Sequence, residues 1–577
     1  MTSIWWKRLR SIFTHPKRDL EAVQFSLGER DPRRTSAAPP ELRKPPEPEG
    51  ASKGEPIPED LDKAVERLAA ILHYPLSQDL VFREITLPTK PTARALVIYY
   101  EGLAESRRVE REIIEPLMRF PLTNKTPKAR LADVFLESIL PSGSSRRAQS
   151  LEQLVTGITL GEAAILIETG VACLADVKEP PSRTPEQPIT ERATLGPQMA
   201  FVESHRTNSA MIRRFVHDPD LVLEGYEVGR RQKTPVALLY ISDIANPKLV
   251  AEVRQRIRSL DVDGITAIGI LEQLIEDHPV GLIATMLNTE RPDRAALHLL
   301  QGSVVLLSDG SPRCLIAPVT FSTFLHSPED VYQRYPYANF LRLVRLLALF
   351  VALLAPAIYI AILDYHSEML PQLLLVTLES ARQAIAFPLV VSVILMELAF
   401  ELVREAGVRV PVAIAPTIGI VGALLIGDMA VRASFVSPAT IIVVAATGLA
   451  NFSVPDQAAS FAVRIARFIF IALAGVLGFL GIALGFYVLA THLAGLRSFG
   501  VPFLAPIGPW RPGSTDVILR DPYWRQELRP SFLRPLDLFR LTRRSRAWDP
   551  GLESAPSRPE SGGRPEKTAG DEQERGE

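Results

Sequence analysis

Hydrophobic residues are distributed very unevenly along this chain of 577 residues. From about Leu341 to Leu496 most positions are apolar, in successive runs that begin near residues 340, 387, 411, 435 and 468. Each run has roughly the 17–25 residues that a helix needs to cross about 30 Å of hydrocarbon. One such run could be the core helix of a soluble protein, whereas four or five in succession are typical of a polytopic membrane protein. The pattern predicts an all-α membrane bundle of about four to five segments over residues 339–497, some of them broken or re-entrant.

The first three hundred residues have the shorter periodicities of a soluble α/β fold. Within residues 61–178, an apolar run predicts a buried strand over Ala93–Tyr100, and apolar spacing predicts an amphipathic helix over residues 105–120. Two further apolar runs flank Thr169-Gly170 and predict a β-hairpin. Residues 61–178 are therefore predicted to form the first of two α/β subdomains.

A second α/β subdomain is predicted over residues 200–338. Helices are expected at amphipathic stretches near residues 247–259 and 268–276. Strands are expected at four short apolar runs, which are Val236–Ile241, Val280–Ile283, Val304–Leu307 and Cys314–Ala317. The sequence DGSP at residues 309–312 separates the last two runs and predicts a tight turn.

Polar stretches complete the predicted architecture. They are a basic start with a Pro-rich disordered linker (1–60), a second Pro-rich linker (179–199), a basic juxtamembrane tail (498–544) and a disordered tail (545–577). The two linkers and the last tail have compositions that bury too little apolar surface to fold. The predicted fold is therefore multi-domain, with a two-part α/β cytosolic N-terminal domain followed by the polytopic membrane bundle.

Charge and cysteine content exclude several classes of protein. The formal net charge of −1 provides no basic field that would attract nucleic acid. The two cysteines, Cys173 and Cys314, are too few for a disulfide scaffold and lack the spacing of metal ligands. The basic first residues lack the continuous apolar core of a signal peptide, so export of the α/β domain is not expected.

Charges beside the apolar runs predict the topology. Arg342 and Arg345 precede the first run, whereas Asp364 and Glu368 follow it, and the positive-inside rule then places the α/β domain in the cytoplasm. The arginine-rich tail also indicates an inside location, although five simple crossings would place it outside. Either one run is re-entrant, or the long glycine-rich last run folds back, and the sequence leaves both alternatives open.

The sequence contains no set of residues with catalytic, metal-binding or cofactor-binding spacing, so an enzyme is not expected. Gly475, Gly478, Gly481 and Gly485 superficially resemble a nucleotide-binding loop. They lie within an apolar run that has no polar partners for a nucleotide. Close packing of helices through small residues is therefore the interpretation that we favour.

Charged residues in or beside the apolar runs are the main candidates for function. Charges in a bilayer are costly, and they usually face a bundle interior or an aqueous path. The candidates are Glu379, Arg382, Glu397 and Glu401. Asp428 and Arg432 are spaced i,i+4 and could form another pair. The alternative is that all six lie at helix ends among the headgroups, and Glu397 fits this alternative least because apolar turns flank it.

The run that begins at Pro411 is the candidate gate. Its prolines and glycines are unusual for a lipid-facing helix, and its apolar side chains could close a narrow path by excluding water. The pore or gating candidates are Gly419, Ile420, Leu424, Gly427 and Asp428. The alternative is that the glycines only let neighbouring helices approach closely.

Short motifs recur in a characteristic order over about residues 65–535. They include DLVFREI (79–85), YYEGL (99–103), ESHRTN (203–208), NTERPDR (288–294), SPEDVYQRY (327–335), FELVREAGVRVP (400–411), VSPATIIVVA (436–445) and HLAGLRSFGVPFLAPI (492–507). This series resembles the A subunit of the spore germinant receptors, the GerA family, which also includes a stage V sporulation protein. The stretch QAIAFP at residues 383–388 departs from the family pattern, so no role is carried over to it.

The resemblance implies a multi-pass subunit of the spore inner membrane that assembles into a homo-oligomeric ring. Its partners would be a transporter-like B subunit, a lipoprotein C subunit and membrane lipids. The implied function is a nutrient-gated ion channel that triggers spore germination by ion release. The alternatives are a sporulation paralogue that amplifies ion release and a secondary transporter. A transporter usually has two related halves, and no internal repeat is evident in the sequence.

Overall fold

The computed structural model of the chain describes most of the two predicted subdomains and most of the predicted bundle. The described residues are 55–87, 93–119, 145–168, 171–178, 187–188, 190–383, 385–409, 427–509 and 516–541. Most of the predicted terminal linker (1–60) and the whole predicted disordered tail (545–577) lie outside these residues. So do three of the gating candidates, Gly419, Ile420 and Leu424.

The first subdomain is an antiparallel sheet between two layers of helices. Its elements are α1 (Leu61–Ile71), β1 (Leu80–Leu87), β2 (Ala93–Tyr100), α2 (three consecutive helical stretches, Ser106–Arg108, Val109–Ile114 and Glu115–Arg119), β3 (Arg146–Arg147), α3 (Leu151–Thr159), β4 (Ala163–Ile167) and β5 (Val171–Ala175). Side chains alternate along β2, so that Val97 packs against α2 while Leu96 and Ile98 pack against α1 and α3. The predicted strand, amphipathic helix and hairpin are confirmed.

The predicted start of this subdomain at residue 61 is a few residues too late. Glu55 accepts a hydrogen bond of 3.2 Å from Nε of Arg67 on α1. Pro56 forms a β-bridge with Ser150, the N-cap of α3. The proline-rich composition led to the prediction of a linker here. A β-bridge and an ion pair to residues distant in the sequence produce no periodic pattern that could have predicted these contacts.

The second subdomain has the same layered build. Its elements are α4 (His205–Phe215), β6 (Leu221–Val228), β7 (Thr234–Ile241), α5 (Pro247–Arg258), α6 (Ile268–Ile275), β8 (Leu287–Thr289), α7 (Pro292–Leu299), β9 (Val304–Ser308) and β10 (Cys314–Ala317). The predicted helices and three of the predicted strands are confirmed. The turn between β9 and β10 contains Gly310 at a φ of +78°, a left-handed conformation that glycine adopts readily.

The predicted strand Val280–Ile283 is wrong. These residues form turns and bends, and the strand beside β10 is β8, seven residues further along. Gly281 interrupts the short apolar run, and its N–H bonds the carbonyl of His278 at 2.9 Å. Ile283 is apolar because it packs against the core of the second subdomain, which a pattern of four residues does not distinguish from a strand.

The two subdomains are structural repeats of one another. The first sheet has the strand order β1-β2-β4-β5-β3 and the second has β6-β7-β9-β10-β8, so each strand occupies the equivalent place. Before β4 and β9 the chain turns at Gly161 and Gly302, with φ values of +88° and +97°. The sequence analysis missed this repeat, because the two halves share topology and glycine positions while most of their side chains differ.

The apolar half forms a helical bundle. Its longer helices within the described residues are α8 (Tyr335–Tyr365), α9 (Gln372–Arg382), α10 (Leu389–Arg409), α11 (Pro438–Phe452), α12 (Gln457–Leu477) and α13 (Phe479–Gly495). Of these, α8 and α12 are long and apolar enough to cross a membrane, and α11 and α13 are shorter apolar helices. Four of the five predicted runs therefore lie in these helices, whereas α9 corresponds to no predicted run and most of the run from Pro411 lies outside the described residues.

The last apolar run is a helical hairpin. Gly478, at a φ of +59°, separates α12 from α13, and α13 returns along α12. A Cβ at Gly485 would lie 3.0 Å from the Phe470 ring, and one at Gly475 would lie 2.9 Å from Val390 on α10. The prediction that these glycines serve close helix packing is confirmed, and so is the alternative in which the last run folds back.

The tail after α13 returns to the second subdomain. Phe503 is fully buried in the core of that subdomain, with its ring centroid 5.9 Å from that of Phe324. The backbone N–H of Phe499 donates to Asp277 at 2.6 Å, and Oγ of Ser498 donates to the carbonyl of Thr285 at 2.6 Å. The α/β domain and the tail thus lie at the same end of the bundle. The arginine pattern predicted that the domain and the tail share one side. Five simple crossings would place them at opposite ends, so that count is wrong.

Candidate functional site in the helical bundle

Two helices of the bundle face each other with charged side chains. On α10, Glu397 and Glu401 are four residues apart, and on α12, Arg464 and Arg467 are three residues apart, so each pair lies on one helix face. Glu397 pairs with Arg467 and Glu401 pairs with Arg464, which means that α10 and α12 are antiparallel. Two carboxylates and two guanidinium groups therefore meet inside an apolar bundle.

The ion pair between Glu397 and Arg467 is completely buried. Oε2 of Glu397 lies 2.6 Å from Nη1 of Arg467, and the two side chains are 0% and 1% exposed. Removing either partner would leave a buried charge without its counter-ion, which is strongly destabilising. The alternative in which all six charges lie at helix ends therefore fails for Glu397, which lies within α10 and is buried.

Arg467 also holds a backbone carbonyl of α8. Its Nε–H donates to the carbonyl oxygen of Ala352 at 2.7 Å. In a regular helix that oxygen would accept from the N–H of residue 356, but residue 356 is a proline and has no N–H. Pro356 thus frees the acceptor that Arg467 binds, and one side chain joins α8, α10 and α12.

The second ion pair lies one turn nearer the α/β domain and is less enclosed. Oε2 of Glu401 lies 2.7 Å from Nη1 of Arg464, with exposures of 24% and 16%. The guanidinium of Arg464 also lies 4.4 Å from the centroid of the Phe461 ring. Contacts of this kind compensate part of the lost hydration of a guanidinium group.

Several polar atoms in this core have no hydrogen-bond partner in the described part of the chain. All of them are buried, and they are Glu397 Oε1, Asn451 Oδ1, Arg464 Nε and Arg467 Nη2. Asn451 on α11 donates through Nδ2 to Oγ of Ser460 on α12 at 2.9 Å, which places it beside the ion pairs. Buried polar atoms are normally satisfied by protein or by ordered water, so this core has the chemistry of a hydrated site.

The other predicted charged residues lie away from this core. Arg382 pairs with Asp364 at 2.9 Å, and both Arg382 and Glu379 line an open cavity of about 560 Å³ at the end of the bundle opposite the α/β domain. The predicted pair of Asp428 and Arg432 is confirmed at 2.8 Å, but both side chains are largely exposed. An exposed pair of this kind contributes little to stability.

The gating candidates are only partly described. Gly419, Ile420 and Leu424 lie outside the described residues, and their role stays a prediction. Gly427 is described, and among the described residues the nearest atom to a Cβ there would belong to Ile441 of α11, at 3.9 Å. Residue 427 thus lies next to α11 without the tight approach that requires glycine.

A second cluster of charges, which the sequence analysis missed, joins α8 to the α/β domain. Asp330 is fully buried and accepts from Nε of Arg342 at 3.0 Å and from Nη1 of Arg345 at 2.8 Å. Arg342 also pairs with Asp516 of the tail. Burial acts to raise the pKa of Asp516, but His326 and Arg342 more than offset it, so this pKa lies below its ordinary value. The first turns of α8 are thereby fixed to both the domain and the tail.

One group of residues resembles hydrolytic machinery and does not have its geometry. Nε2 of His73 lies 2.8 Å from Asp220 and 3.1 Å from Oγ of Ser242. A catalytic triad needs the two ring nitrogens to contact the acid and the nucleophile separately. Among the residues that the structure describes, no group of three or more His, Cys, Asp or Glu side chains could hold a metal ion.

These features define a class of protein in which a repeated α/β domain is attached to an apolar helical bundle with ion pairs in its core. A family model described as GerA, Bacillus/Clostridium GerA spore germination protein, matches residues 66–532. The chain therefore belongs to the GerA family of spore germination proteins. The resemblance found in the short motifs is confirmed.

Individual known proteins are also similar to this chain. Spore germination protein KA of Bacillus subtilis (strain 168) is 39% identical over 466 residues, covering 80% of this chain and 85% of that protein. The uncharacterized membrane protein YfkQ of the same organism is 34% identical over 477 residues, covering 82% and 91%. The solved N-terminal domain of the A subunit of the Bacillus megaterium spore germinant receptor GerK3 is 28% identical, with a TM-score of 0.36, and the match covers 47% of this chain and 98% of that one.

Proposed function

We propose that this chain is the membrane subunit of a spore germinant receptor and that it forms a nutrient-gated ion path whose opening triggers germination by ion release. The observation that carries the proposal is the polar core between α10, α11 and α12. Buried atoms such as Oε1 of Glu397 and Nη2 of Arg467 have no hydrogen-bond partner among the described residues, although apolar helices surround them. Ordered water would satisfy such atoms, and water inside a membrane bundle is the first requirement of an ion path.

The contacts of α8 support a route by which the α/β domain could control this core. At one end, Arg342 and Arg345 bind Asp330 of the domain, and further along the same helix the carbonyl of Ala352 binds Arg467. A movement of the domain would therefore shift the acceptor that positions Arg467. In the proposed receptor the domain is cytoplasmic, the bundle spans the spore inner membrane, and copies of the chain form a ring with a transporter-like B subunit and a lipoprotein C subunit.

The transporter alternative gains no support from the repeat in the structure. A secondary transporter usually has two related membrane halves. The repeat found here relates the two α/β subdomains and their sheets. The helices described in the bundle differ from one another in length and in their breaks, as the hairpin at Gly478 illustrates.

The proposal is tested by ion release from spores that carry substituted chains. Glu397→Gln keeps the size of the side chain and removes its charge, so we expect slower release of monovalent cations after nutrient addition. Glu368→Gln, at an exposed turn outside the core, is the matched control and should release ions like the unmodified chain. Equal release rates from both variants, at equal protein levels, would refute a role of the polar core in conduction.

The predicted gate is tested in the same assay. Leu424→Ser should wet the constriction and produce ion loss without nutrient, because a hydroxyl group lowers the cost of water in an apolar passage. Leu449→Ser, on a 69% exposed face of α11, is the control for placing serine in the bundle. If Leu424→Ser assembles and leaves both resting and stimulated flux unchanged, residue 424 does not form the gate.

A further inference from the structure

An apolar cavity of about 400 Å³ lies between α8, α12 and α13, beside the second subdomain. The small side chains of Ala459, Ala462 and Ala466 create its space along α12. Phe324 and Phe503 close the end nearest the α/β domain. The cavity lies on the face of α12 that does not carry the ion pairs, so it is separate from the polar core.

The cavity is long and opens sideways. Ala459 and Leu473 both line it, and fourteen residues of helix separate them by about 21 Å at 1.5 Å per residue. One leaflet contributes about half of the roughly 30 Å of hydrocarbon in a bilayer. The rings of Phe350 and Phe486 stack at the mouth, 6.4 Å apart, and are 42% and 40% exposed. The slot is therefore long enough to span one leaflet, and it connects with the apolar outer surface of the bundle.

We expect this cavity to be neither filled with water nor empty. A buried water needs two to four polar partners, and the walls are almost entirely side chains of Leu, Ile, Val, Phe and Ala. An empty slot would forfeit the dispersion contacts of every side chain along it. A side chain from a neighbouring copy could enter the mouth, but it would not extend along the whole length between α8, α12 and α13. A long flexible hydrocarbon chain can fill it.

We propose that this cavity binds one acyl chain of a bilayer phospholipid, from the leaflet on the side of the α/β domain. The inference rests on the proposed membrane location of the bundle and adds a specific lipid site to it. The acyl chain completes the packing between α8, α13 and the second subdomain, since it contacts Phe324 and Phe503 at one end and Phe350 at the other. The lipid thus becomes part of the connection between the domain and the first helix.

The test measures phospholipid retained by the full-length chain after purification in mild detergent, by native mass spectrometry. The unmodified chain should retain one phospholipid per copy. The double variant A462L/A466L fills the slot with protein and should lose at least nine tenths of that lipid. Ala472→Leu, on the exposed face of α12, adds the same volume outside the slot and should retain lipid like the unmodified chain.

A second measurement uses the unmodified chain, so that the inference can be tested even if A462L/A466L misfolds. In vesicles containing a spin-labelled phosphatidylglycerol, the bound chain should give an immobilised component of about one lipid per copy. The inference is overturned if the folded chain holds no phospholipid and no immobilised component, or if the filled variant retains lipid. It is also overturned if filling the cavity in A462L/A466L separates a dimer of the chain without removing phospholipid, because the cavity would then bind a second copy of the chain. Release of the chain from membranes by alkaline carbonate would refute the proposed membrane location itself.

Discussion

The contact between Arg467 and two other helices leads to a quantitative prediction for Arg467→Met. Methionine keeps most of the apolar stem, but it leaves the buried carboxylate of Glu397 without a counter-ion and the carbonyl of Ala352 without a donor. An orphaned buried charge costs about 3–5 kcal/mol. An orphaned carbonyl adds about 1–3 kcal/mol. We therefore expect the free energy of unfolding of the bundle to fall by about 4–8 kcal/mol.

The carbonyl contribution can be separated with Pro356→Ala. In the Arg467→Met background, alanine supplies the N–H that proline lacks, so the carbonyl of Ala352 regains its helical hydrogen bond. A double-mutant cycle should give a coupling of about 1–3 kcal/mol, the cost of the orphaned carbonyl that alanine removes. In the unmodified background Pro356→Ala should change stability little, since Arg467 already satisfies the carbonyl.

The assay is thermal unfolding of the purified full-length chain in detergent. The measured quantity is the fraction of the protein that remains monodisperse after heating to each temperature. Each kcal/mol shifts the midpoint of a domain of 150–250 residues by about 2–4 °C, so Arg467→Met should lower it by about 10 °C or more. Arg432→Met, which removes an exposed arginine of the bundle, is the control and should shift it by at most a degree or two. A small effect of Arg467→Met, or zero coupling with Pro356→Ala, would refute the argument.

Three further outcomes are expected. Burial, and then repulsion from Glu276, raise the pKa of Glu272 to about 7. The folded state therefore keeps a proton that the unfolded state releases near pH 4.5. The free energy of unfolding should consequently fall as the pH rises from about 4.5 to 7. Melting midpoints measured over a pH series should decline less steeply for Glu272→Gln than for the unmodified chain. Phe503→Ala should cost about 3–5 kcal/mol in the same melts, because the ring is fully buried in the second subdomain. Protease added outside sealed right-side-out vesicles should leave residues 61–335 intact, and cleavage there would reverse the proposed orientation.

The spacing of apolar residues was sufficient to predict a helix or strand wherever one face of that element packs against the core. The strand Ala93–Tyr100 and the helix that follows it were predicted correctly, because alternation and helical spacing directly reflect which side chains face the core. The run Val280–Ile283 shows the limit of this logic. Four apolar residues satisfy a strand pattern equally well when they form a turn that contacts a core from outside.

The candidate site was predicted only in part. The spacing of Glu397 and Glu401 singled out one face of one helix, since charges in an apolar run are costly and rarely accidental. Their partners, Arg464 and Arg467, were not among the predicted site residues. The pairing joins residues 63 and 70 positions apart in the sequence, and it depends on how two helices are placed in space.

The amino-acid sequence alone established that this chain has a folded α/β part and a long apolar part, because burial of apolar side chains has a short-range periodicity. It also marked Gly478 as a place for close packing. Tertiary structure alone revealed the hairpin at Gly478, the return of Phe503 to the second subdomain, and the capture of the Ala352 carbonyl by Arg467. Each of these depends on contacts between distant segments, whose geometry is set by the packing of whole helices and leaves no periodic signal in the chain.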